Sequence, residues 1–389
     1  MSNTLKDDFL KLWEFFAWLD EARFNVGYVQ SERVREQWFH RFSKAWKKCG
    51  VNINSKGLES HDIILGHWLT YIFDYAMPAE RVWMKAFPIM AYVAYRFRRG
   101  VSWKKIIEEH IRPIRSDGKK NYEFYIKGPK NEQQFKHRFG AHHKLNDNVR
   151  RTLKELERKF NRDLVTFMLE KSKDSPDNRW IRDVARGLHS LTYKSNGEKQ
   201  QFWHKRTWSA FRDYLKDPFC RDYICKALIQ HEGKYSAHVL ERWRKPEPFL
   251  DQLELPGDIW NIRFFEKIHE SYVQPLMPTQ YKRIKSAPKA IRILYQNVLH
   301  DEAKKRKLYP EQFDATYDFA RLCGDEFCNI CPLSPHDVSE LCIGNLESAQ
   351  EKYCPLLLSA CRYFMRCQPD NCPILCKRTR GLCLQPHLP

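Results

Sequence analysis

The sequence predicts an all-α protein that ends in a cysteine-rich, metal-binding module. Apolar side chains recur at the three- and four-residue spacing of helices over most of the chain, and alternating strand patterns are scarce. Ten of the 13 cysteines follow residue 320. We therefore expect helical regions over residues 1–113 and 206–320, a basic inserted region over residues 114–205, and a metal-binding module over residues 321–389.

The charge of the chain favours a polyanionic partner. The 389 residues include 67 Lys and Arg against 48 Asp and Glu, a net charge of +19. Nucleic acid or an anionic membrane surface would suit that excess, with generic solubilising charge as the alternative. The longest nearly apolar run, residues 86–95, contains Pro88 and is far shorter than the roughly 20 residues of a spanning helix. Without a recognisable signal peptide, we expect a cytoplasmic, nucleoid-associated protein that does not bind membranes and is a monomer.

Four helices are predicted before residue 114. The first covers residues 7–25, where large apolar side chains share one stripe. The second covers residues 60–76 and begins at a serine suited to capping. Pro78 opens the third, which runs to Phe97, and the fourth lies between a Ser102 cap and Pro113.

The middle of the chain changes in composition. Residues 114–150 are rich in Lys, Arg, His, Asn and Gly, which predicts a solvated basic connector. One long helix follows, with apolar residues in register from Leu153 to Phe167, and residues 170–205 are again polar. Aromatic residues interleave with the basic run around Lys136 and Arg138, a pattern that suits contacts to bases and phosphates. A second basic run includes Arg98 and Arg99. A solvated surface is the alternative for each run.

A pair of helices is predicted around residue 233. Residues 216–229 form an amphipathic helix, and a turn at residues 230–233 leads into a second helix from Lys234 to Pro246. A glycine in such a turn lets backbone N–H groups face outward, where they can bind a phosphate. An ordinary helical hairpin is the alternative interpretation.

Three segments together resemble the helix-hairpin-helix family of base-excision DNA glycosylases, which includes endonuclease III and adenine glycosylase. The segment GKYSAHVLERW is similar to the family's hairpin, with Gly233 and Ala237 in matching places. LPGDIWNIRFF places Asp258 and Arg263 at the family's D-x-x-x-x-R spacing. LTYIFDYAMPAERVW is similar to the helix pair that carries the family's intercalating loop. The resemblance implies a two-lobed helical fold and double-stranded DNA as the partner.

The resemblance also implies roles for particular residues. Asp258 would stabilise the cationic sugar or activate a water molecule during hydrolysis of an N-glycosidic bond. Tyr235 stands where bifunctional members carry their lysine, so any glycosylase would be monofunctional. Tyr75 or Met77 would act as the wedge that flips the target base. The remaining predicted DNA contacts are His231, Gly233, Lys234 and Arg263.

Several departures from the family favour a second hypothesis. His231 replaces the first glycine of the hairpin, Tyr75-Ala76 replaces the usual wedge glutamine, and the region between wedge and hairpin is about twice the family's length. Asp258 could also serve as an N-cap for a helix beginning at Ile259. The alternative is therefore a catalytically inert nucleic-acid-binding iron–sulfur protein of the same fold.

The cysteine spacing predicts at least one metal centre. The pattern Cys323-x4-Cys328-x2-Cys331-x10-Cys342 has the close central pair seen in the glycosylase cluster loop and favours a [4Fe-4S] cluster, with zinc as the alternative. A second group would hold another cluster or a zinc ion. The favoured ligands of this second group are Cys354, Cys367, Cys372 and Cys383, with Cys361 and Cys376 as alternatives.

Overall fold

The protein is described here by a computed structural model. It describes residues 5–7, 9–10, 13–14, 16–17, 20, 43–44, 46–47, 53, 57–73, 86–116, 119–127, 134–139, 143–193, 205–256, 274–276 and 287–315. The chain divides into two compact units, residues 31–249 and residues 1–30 with 250–389. This division differs from the four segments predicted above, because the first residues of the chain group with its C-terminal part.

Helices dominate the described residues, which confirms the helical character predicted from the sequence. Within residues 31–249 the helices are α1 (Ser60–Phe73), α2 (Phe87–Arg98), α3 (Trp103–His110), α4 (His143–Lys159), α5 (Leu164–Ser172), α6 (Trp180–Thr192), α7 (Lys205–Lys216), α8 (Pro218–Ile229) and α9 (Ala237–Arg244). A 3₁₀ turn, Glu247–Gln252, follows α9.

Helices α1 and α2 pack directly against each other. A Cβ added to Gly66 of α1 would lie 2.8 Å from the Cα of Ala91 in α2, so a glycine is required for this backbone approach. Tyr214 of α7 donates from its hydroxyl to the carbonyl of Ile64 at 2.9 Å. The α1 helix therefore lies at the centre of this unit, with its buried apolar residues shared among several neighbours.

A three-stranded antiparallel sheet lies where the sequence predicted a basic connector. Its strands are β1 (Ile111–Ser116), β2 (Lys119–Lys127) and β3 (Gln134–Phe139), in the order β1-β2-β3. The register pairs Ser116 with Lys119, which leaves Asp117 and Gly118 as the two-residue connection that favours a hairpin. Pro113 lies in β1 at one edge of this sheet, where a missing N–H is tolerated. The sheet is a structural addition to the predicted all-α fold.

The prediction of a single long helix through residues 153–167 is wrong, because the helix ends after α4 and a second helix, α5, begins at Leu164. Asn161 and Arg162 have positive φ angles of 47° and 64°. Asp163 then caps α5, and its side chain accepts from the backbone N–H groups of Val165 and Thr166. Two left-handed residues followed by a strong N-cap stop one helix and start another.

Helix α6 occupies part of a region predicted to be polar and interrupted. Its apolar residues face inward, and Trp180 is fully buried, with its ring centroid 5.1 Å from that of Trp243 in α9. The indole N–H of Trp243 donates to Ser172 at 3.2 Å. These contacts fix α9, and therefore the turn that precedes it, against α5 and α6.

The other unit joins the N-terminal residues to a C-terminal group of helices. The described elements are α10 (Gln274–Leu276), α11 (Ala287–Leu294), a π-helical turn (Tyr295–Leu299), α12 (His300–Lys305) and a 3₁₀ turn (Pro310–Ala315). Phe9, Trp13 and Phe16 all contact the ring of Phe313. The Trp13 indole donates to the carbonyl of Tyr309 at 3.2 Å, and Arg306 forms ion pairs with Asp7 and Glu14.

Candidate functional site

Two histidines and a carboxylate from distant parts of the chain meet in the interior of residues 31–249. His61 lies in the first turn of α1, Asp163 is the N-cap of α5, and His231 lies in the turn between α8 and α9. All three are buried, with exposed fractions of 2%, 7% and 5%. We refer to His61, Asp163 and His231 as the His–Asp–His cluster.

Asp163 is the centre of this cluster. Its Oδ1 lies 2.7 Å from His61 Nδ1, and its Oδ2 lies 3.4 Å from His231 Nε2 and accepts from the Thr166 hydroxyl at 2.6 Å. Burial alone would raise the pKa of the Asp163 carboxyl, but the imidazoles of His231 and His61 and the Thr166 hydroxyl outweigh burial and hold it well below its usual range. The carboxylate is therefore ionised throughout the physiological pH range.

The histidines are less well satisfied than the carboxylate. Neither ring nitrogen of His231 has a hydrogen-bond partner among the described residues, and the same holds for Nε2 of His61. The two imidazole centroids lie 5.5 Å apart. A buried polar atom without a partner costs about 1–3 kcal/mol, so this arrangement points to a missing ligand or water molecule.

Arg98 and Arg99 lie beside the cluster rather than on a free basic surface. The Arg98 guanidinium is 3.0 Å from Asp62 and 3.3 Å from Asp163, and it also pairs with Glu59. Arg99 pairs with Asp62 at 3.0 Å and donates to the carbonyl of Gly57. Burial raises the pKa of Asp62, and the two guanidinium groups partly offset that effect. The positive charges of Arg98 and Arg99 are therefore largely neutralised by carboxylates of the protein itself.

The predicted helical hairpin is formed by α8 and α9. Gly233 has a φ of +80°, and a Cβ there would meet nothing within 4 Å, so the turn faces open space. The second helix begins at Ala237 rather than Lys234, because Ser236 caps it by accepting from the N–H of Val239. Lys234 is exposed, whereas the side chain of His231 points into the cluster.

Tyr235 is held away from reactive chemistry. Its hydroxyl donates to Glu170 at 2.9 Å and its ring packs against that of His231. Burial and then the hydrogen bond to Glu170 raise the pKa of the phenol, which stays protonated at neutral pH. At neutral pH Tyr235 is therefore a neutral hydrogen-bond donor to Glu170.

A second group of polar residues lies around the start of α8, where Asp213 and Asp217 are half-buried and Cys220 is buried. Asp217 caps α8 by accepting from the N–H of Cys220 at 3.0 Å. Burial raises the pKa of Asp217 to about 7, and the nearby charge of Asp213 adds to the shift. Asp213 in turn accepts from the hydroxyl of Tyr71 and lies 3.6 Å from His67. Burial also raises the pKa of the Cys220 thiol, which is therefore unreactive.

An exposed basic surface runs along α3 and α4. We define the α3–α4 basic face as Lys104 of α3 with Arg151, Lys154 and Arg158 of α4, a set that is exposed. None of the four forms an ion pair within the described part of the chain. The half-buried Trp103 lies between two of them, since the ammonium groups of Lys104 and Lys154 are each 5.9 Å from its ring.

The structure does not describe most of the other residues singled out from the sequence. Lys136 and Arg138 lie on β3, opposite Tyr125 and Glu123 of β2. Outside the described residues lie the candidate wedge residues, the candidate catalytic aspartate with its arginine, and both groups of predicted metal-ligating cysteines. These are Tyr75, Met77, Asp258, Arg263, Cys323, Cys328, Cys331, Cys342, Cys354, Cys367, Cys372 and Cys383.

The His–Asp–His cluster was not predicted from the sequence. His61 and Asp163 are 102 positions apart, so no local spacing connects them. One local signal was available for Asp163, because an aspartate directly before the apolar run LVTFML is a helix-start signal. The α3–α4 basic face was not predicted either, because Arg151, Lys154 and Arg158 are seen to share one side only when the bounds of α4 are known.

Comparison of the chain with protein-family models, curated proteins and solved structures finds no match. The glycosylase resemblance therefore stays a prediction, and function has to be argued from the geometry. Within the described residues, no helix is both long and apolar enough to cross a membrane.

Proposed function

We propose that the protein binds nucleic acid, with duplex DNA as the partner, through the α3–α4 basic face. The observation that carries this proposal is the group of four exposed cations that have no carboxylate partner among the described residues. Surface Lys and Arg side chains are commonly neutralised by nearby acids, as Lys159 is by Glu155 on the same helix at 2.5 Å. Cations that remain unpaired on one helix face are suited to neutralise successive phosphates.

The geometry of α4 supports a linear array. Arg151, Lys154 and Arg158 are spaced three and four residues apart, so they share one side of the helix. Lys104 extends the array onto α3, and Trp103 supplies an aromatic surface between the cations. A flat ring flanked by ammonium groups can contact a sugar or an unstacked base while the cations contact phosphates.

Binding is tested by fluorescence anisotropy with the full-length chain and a short labelled duplex over a range of salt concentrations. A triple variant, Arg151→Gln with Lys154→Gln and Arg158→Gln, removes three charges from the basic face. We expect weaker binding and a salt slope smaller by about 1 for each phosphate that the variant no longer neutralises.

A matched control removes the same number of charges elsewhere. Lys173, Lys226 and Lys245 are exposed and each pairs with a carboxylate on its own helix or next to it. Their triple replacement by Gln should leave the affinity close to that of the unchanged chain. Equal losses of affinity in the two triple variants would show a general charge effect, and an unchanged affinity after the basic-face replacements would overturn the proposal.

A finer proposal concerns catalysis and depends on the glycosylase resemblance. Asp258 would support hydrolysis of the bond between a damaged or modified base and its sugar, without strand cleavage. The experiment treats duplexes carrying a panel of lesions with the protein and then with alkali, and compares the chain with its Asp258→Asn variant. Tight binding without abasic product from any duplex would leave the inert nucleic-acid-binding protein as the function.

The cysteine spacing supports the further proposal that Cys323, Cys328, Cys331 and Cys342 hold a [4Fe-4S] cluster. Four thiolates around a close central pair suit such a cluster, and its role would be to staple a small C-terminal module. Anaerobically purified protein should then be brown and contain iron and inorganic sulfide. A colourless protein with stoichiometric zinc would assign zinc to these thiols instead.

A further inference from the structure

We propose that the His–Asp–His cluster is a binding site for a first-row divalent metal ion, with zinc as the reference ion. The proposal is independent of nucleic-acid binding and of the cysteines after residue 320. Each of the three residues can offer one ligand atom such that all three atoms lie within 4.8 Å of one another. Two imidazoles and one carboxylate form a ligand set that suits zinc, iron and nickel.

The distances between the ligand atoms of the cluster can be compared with those around a bound zinc ion. Ligand atoms bonded at about 2.1 Å to a tetrahedral zinc ion lie roughly 3.3 Å apart. The contacts of Asp163 are 2.7 Å between Oδ1 and His61 Nδ1 and 3.4 Å between Oδ2 and His231 Nε2. One ligand atom from each residue lies within 4.8 Å of the other two, so side-chain rotation has to bring the most widely separated atoms closer before they share one ion.

His231 is the second observation that points to a ligand. Its ring is buried and directed at Asp163, but neither nitrogen has a hydrogen-bond partner in the described part of the chain. Its nearest carboxylate oxygen, Oδ2 of Asp163, is 3.4 Å from Nε2, and the hydroxyl of the neighbouring Tyr235 is committed to Glu170. A metal bond would use the lone pair that Nε2 has in its deprotonated form, in place of the present 3.4 Å contact with Oδ2 of Asp163.

The local charge permits a cation despite the presence of Arg98. The carboxylates of Glu59, Asp62 and Asp163 face the guanidinium groups of Arg98 and Arg99. Three carboxylates therefore face two guanidinium groups, so acidic side chains outnumber basic ones by one at this position. Arg98 also contacts Oδ1 of Asp163, at 3.3 Å, so Oδ2 is the oxygen through which Asp163 would bind a metal ion.

A bound ion would add a direct link among three elements of this unit. It would connect the start of α1, the start of α5 and the turn between α8 and α9. Three protein ligands also leave a coordination position for water, as in zinc sites that are not purely structural.

The experiment counts metal ions on the full-length chain. Metal is removed with a chelator, zinc is added in excess, unbound zinc is removed, and the bound equivalents are measured by mass spectrometry. Asp163→Asn is the main variant, because asparagine still caps a helix but provides no anionic ligand. We expect this variant to bind one equivalent less than the unchanged chain, and we expect His231→Gln to behave in the same way.

His238→Gln is the matched control, since His238 lies on the same hairpin but is largely exposed. It should bind as many equivalents as the unchanged chain. Cobalt(II) separates the proposed site from the cysteines, because thiolate ligands give charge-transfer absorption that imidazole and carboxylate ligands lack. Loss of cobalt absorption in Asp163→Asn without loss of the thiolate band supports the proposal.

A measurement on the unchanged chain covers the case in which the variants fail to fold. With ¹⁵N-labelled histidine, zinc should shift the nitrogen signals of two of the 15 imidazoles to metal-bound positions. If no imidazole signal changes while the cysteines fill, or if Asp163→Asn binds as much metal as the unchanged chain, the cluster is a hydrogen-bonded network and the proposal is overturned.

Discussion

Nδ1 of His61 lies 2.7 Å from Oδ1 of Asp163, although 102 positions of sequence separate the two residues. The same carboxylate caps α5, so one side chain starts a helix and fixes it to α1. The capping role needs only an acceptor atom, whereas the contact with the histidines and Arg98 depends on negative charge. These two roles can be separated by substitution.

Asp163→Asn should lower the free energy of unfolding by about 3 kcal/mol at pH 7, because it keeps the cap and removes a buried anion from its partners. The pKa of Asp163 is held below its unfolded value of 3.8. Its stabilisation is therefore present above pH 3.8 and is lost as pH falls through the folded-state pKa. In urea denaturation, the difference in free energy of unfolding between the unchanged chain and Asp163→Asn should be constant from pH 7 to about pH 4. It should become smaller between about pH 4 and pH 3. Equal stabilities at pH 7 would contradict this role.

Asp217→Asn should raise the free energy of unfolding, whereas Asp163→Asn lowers it. The folded-state pKa of Asp217 is about 7, against 3.8 in the unfolded chain, because of burial and the charge of Asp213. Stability is therefore fully present below pH 3.8 and is lost as pH rises through 7. Asparagine still accepts from Cys220 and cannot ionise, so the variant should be more stable at pH 8 by on the order of 2 kcal/mol.

Asp222→Asn is the control for this experiment, since Asp222 lies on the surface of the same helix and pairs with Lys226. Its effect on stability should be within about 0.5 kcal/mol at pH 8. A stabilisation by Asp217→Asn that persists unchanged at pH 4 would show that ionisation is not its cause.

His110 should make the protein sensitive to mild acid. Its Nδ1 lies 3.0 Å from the carbonyl of Tyr125 and its Nε2 lies 2.8 Å from the Arg96 guanidinium, so the neutral ring satisfies both. Burial and the charge of Arg96 lower the pKa of His110 to about 4, although the contact with Tyr125 opposes them.

Because the unfolded chain binds this proton first, His110 contributes a loss of stability of about 1.4 kcal/mol per pH unit from pH 6.5 towards pH 4, and Asp217 opposes this contribution over the same range. His110→Gln should remove this contribution, so that in urea denaturation experiments the variant loses less stability than the unchanged chain between pH 6.5 and pH 4, whereas His238→Gln should not. A slope that survives in His110→Gln would assign the acid sensitivity to another group.

The success of sequence-based prediction depended on how local each feature was. The hairpin of α8 and α9 was predicted within a few residues, because Asp217, Gly233 and Ser236 act on their immediate neighbours. The α3 helix was predicted from its Ser102 cap for the same reason. The His–Asp–His cluster was not predicted, because it depends on the packing of α1, α5 and the hairpin.

The sheet was missed for a different reason. Asp117-Gly118 between two segments with aromatic and β-branched residues is a strong hairpin signal. The abundance of Lys and Arg around it favoured a solvated connector, and Pro113 favoured the end of a helix. Once β1 is seen at an edge, both the proline and the charges are compatible with a strand.

Gly66→Ala should be destabilising. The added methyl group would lie 2.8 Å from Ala91 Cα and 3.0 Å from its nitrogen, both backbone atoms that cannot rotate away. We expect a loss of about 1–3 kcal/mol, measured by thermal or urea denaturation. Gly187→Ala is the control, because its closest new contact, at 2.9 Å, is with the flexible side chain of Lys171. Gly187→Ala should be neutral or stabilising, since alanine favours a helix interior by about 1 kcal/mol.

The contact between Trp13 and Tyr309 has a consequence for synthesis of the chain. The two residues are 296 positions apart, and Phe9 and Phe16 share the same distant partner, Phe313. At translation rates of 5–20 residues per second, these aromatic side chains would leave the ribosome about 15–60 s before the residues that cover them. The growing polypeptide therefore exposes an apolar, aggregation-prone segment for most of its elongation. Chaperones that hold nascent chains would bind it at residues 9–16.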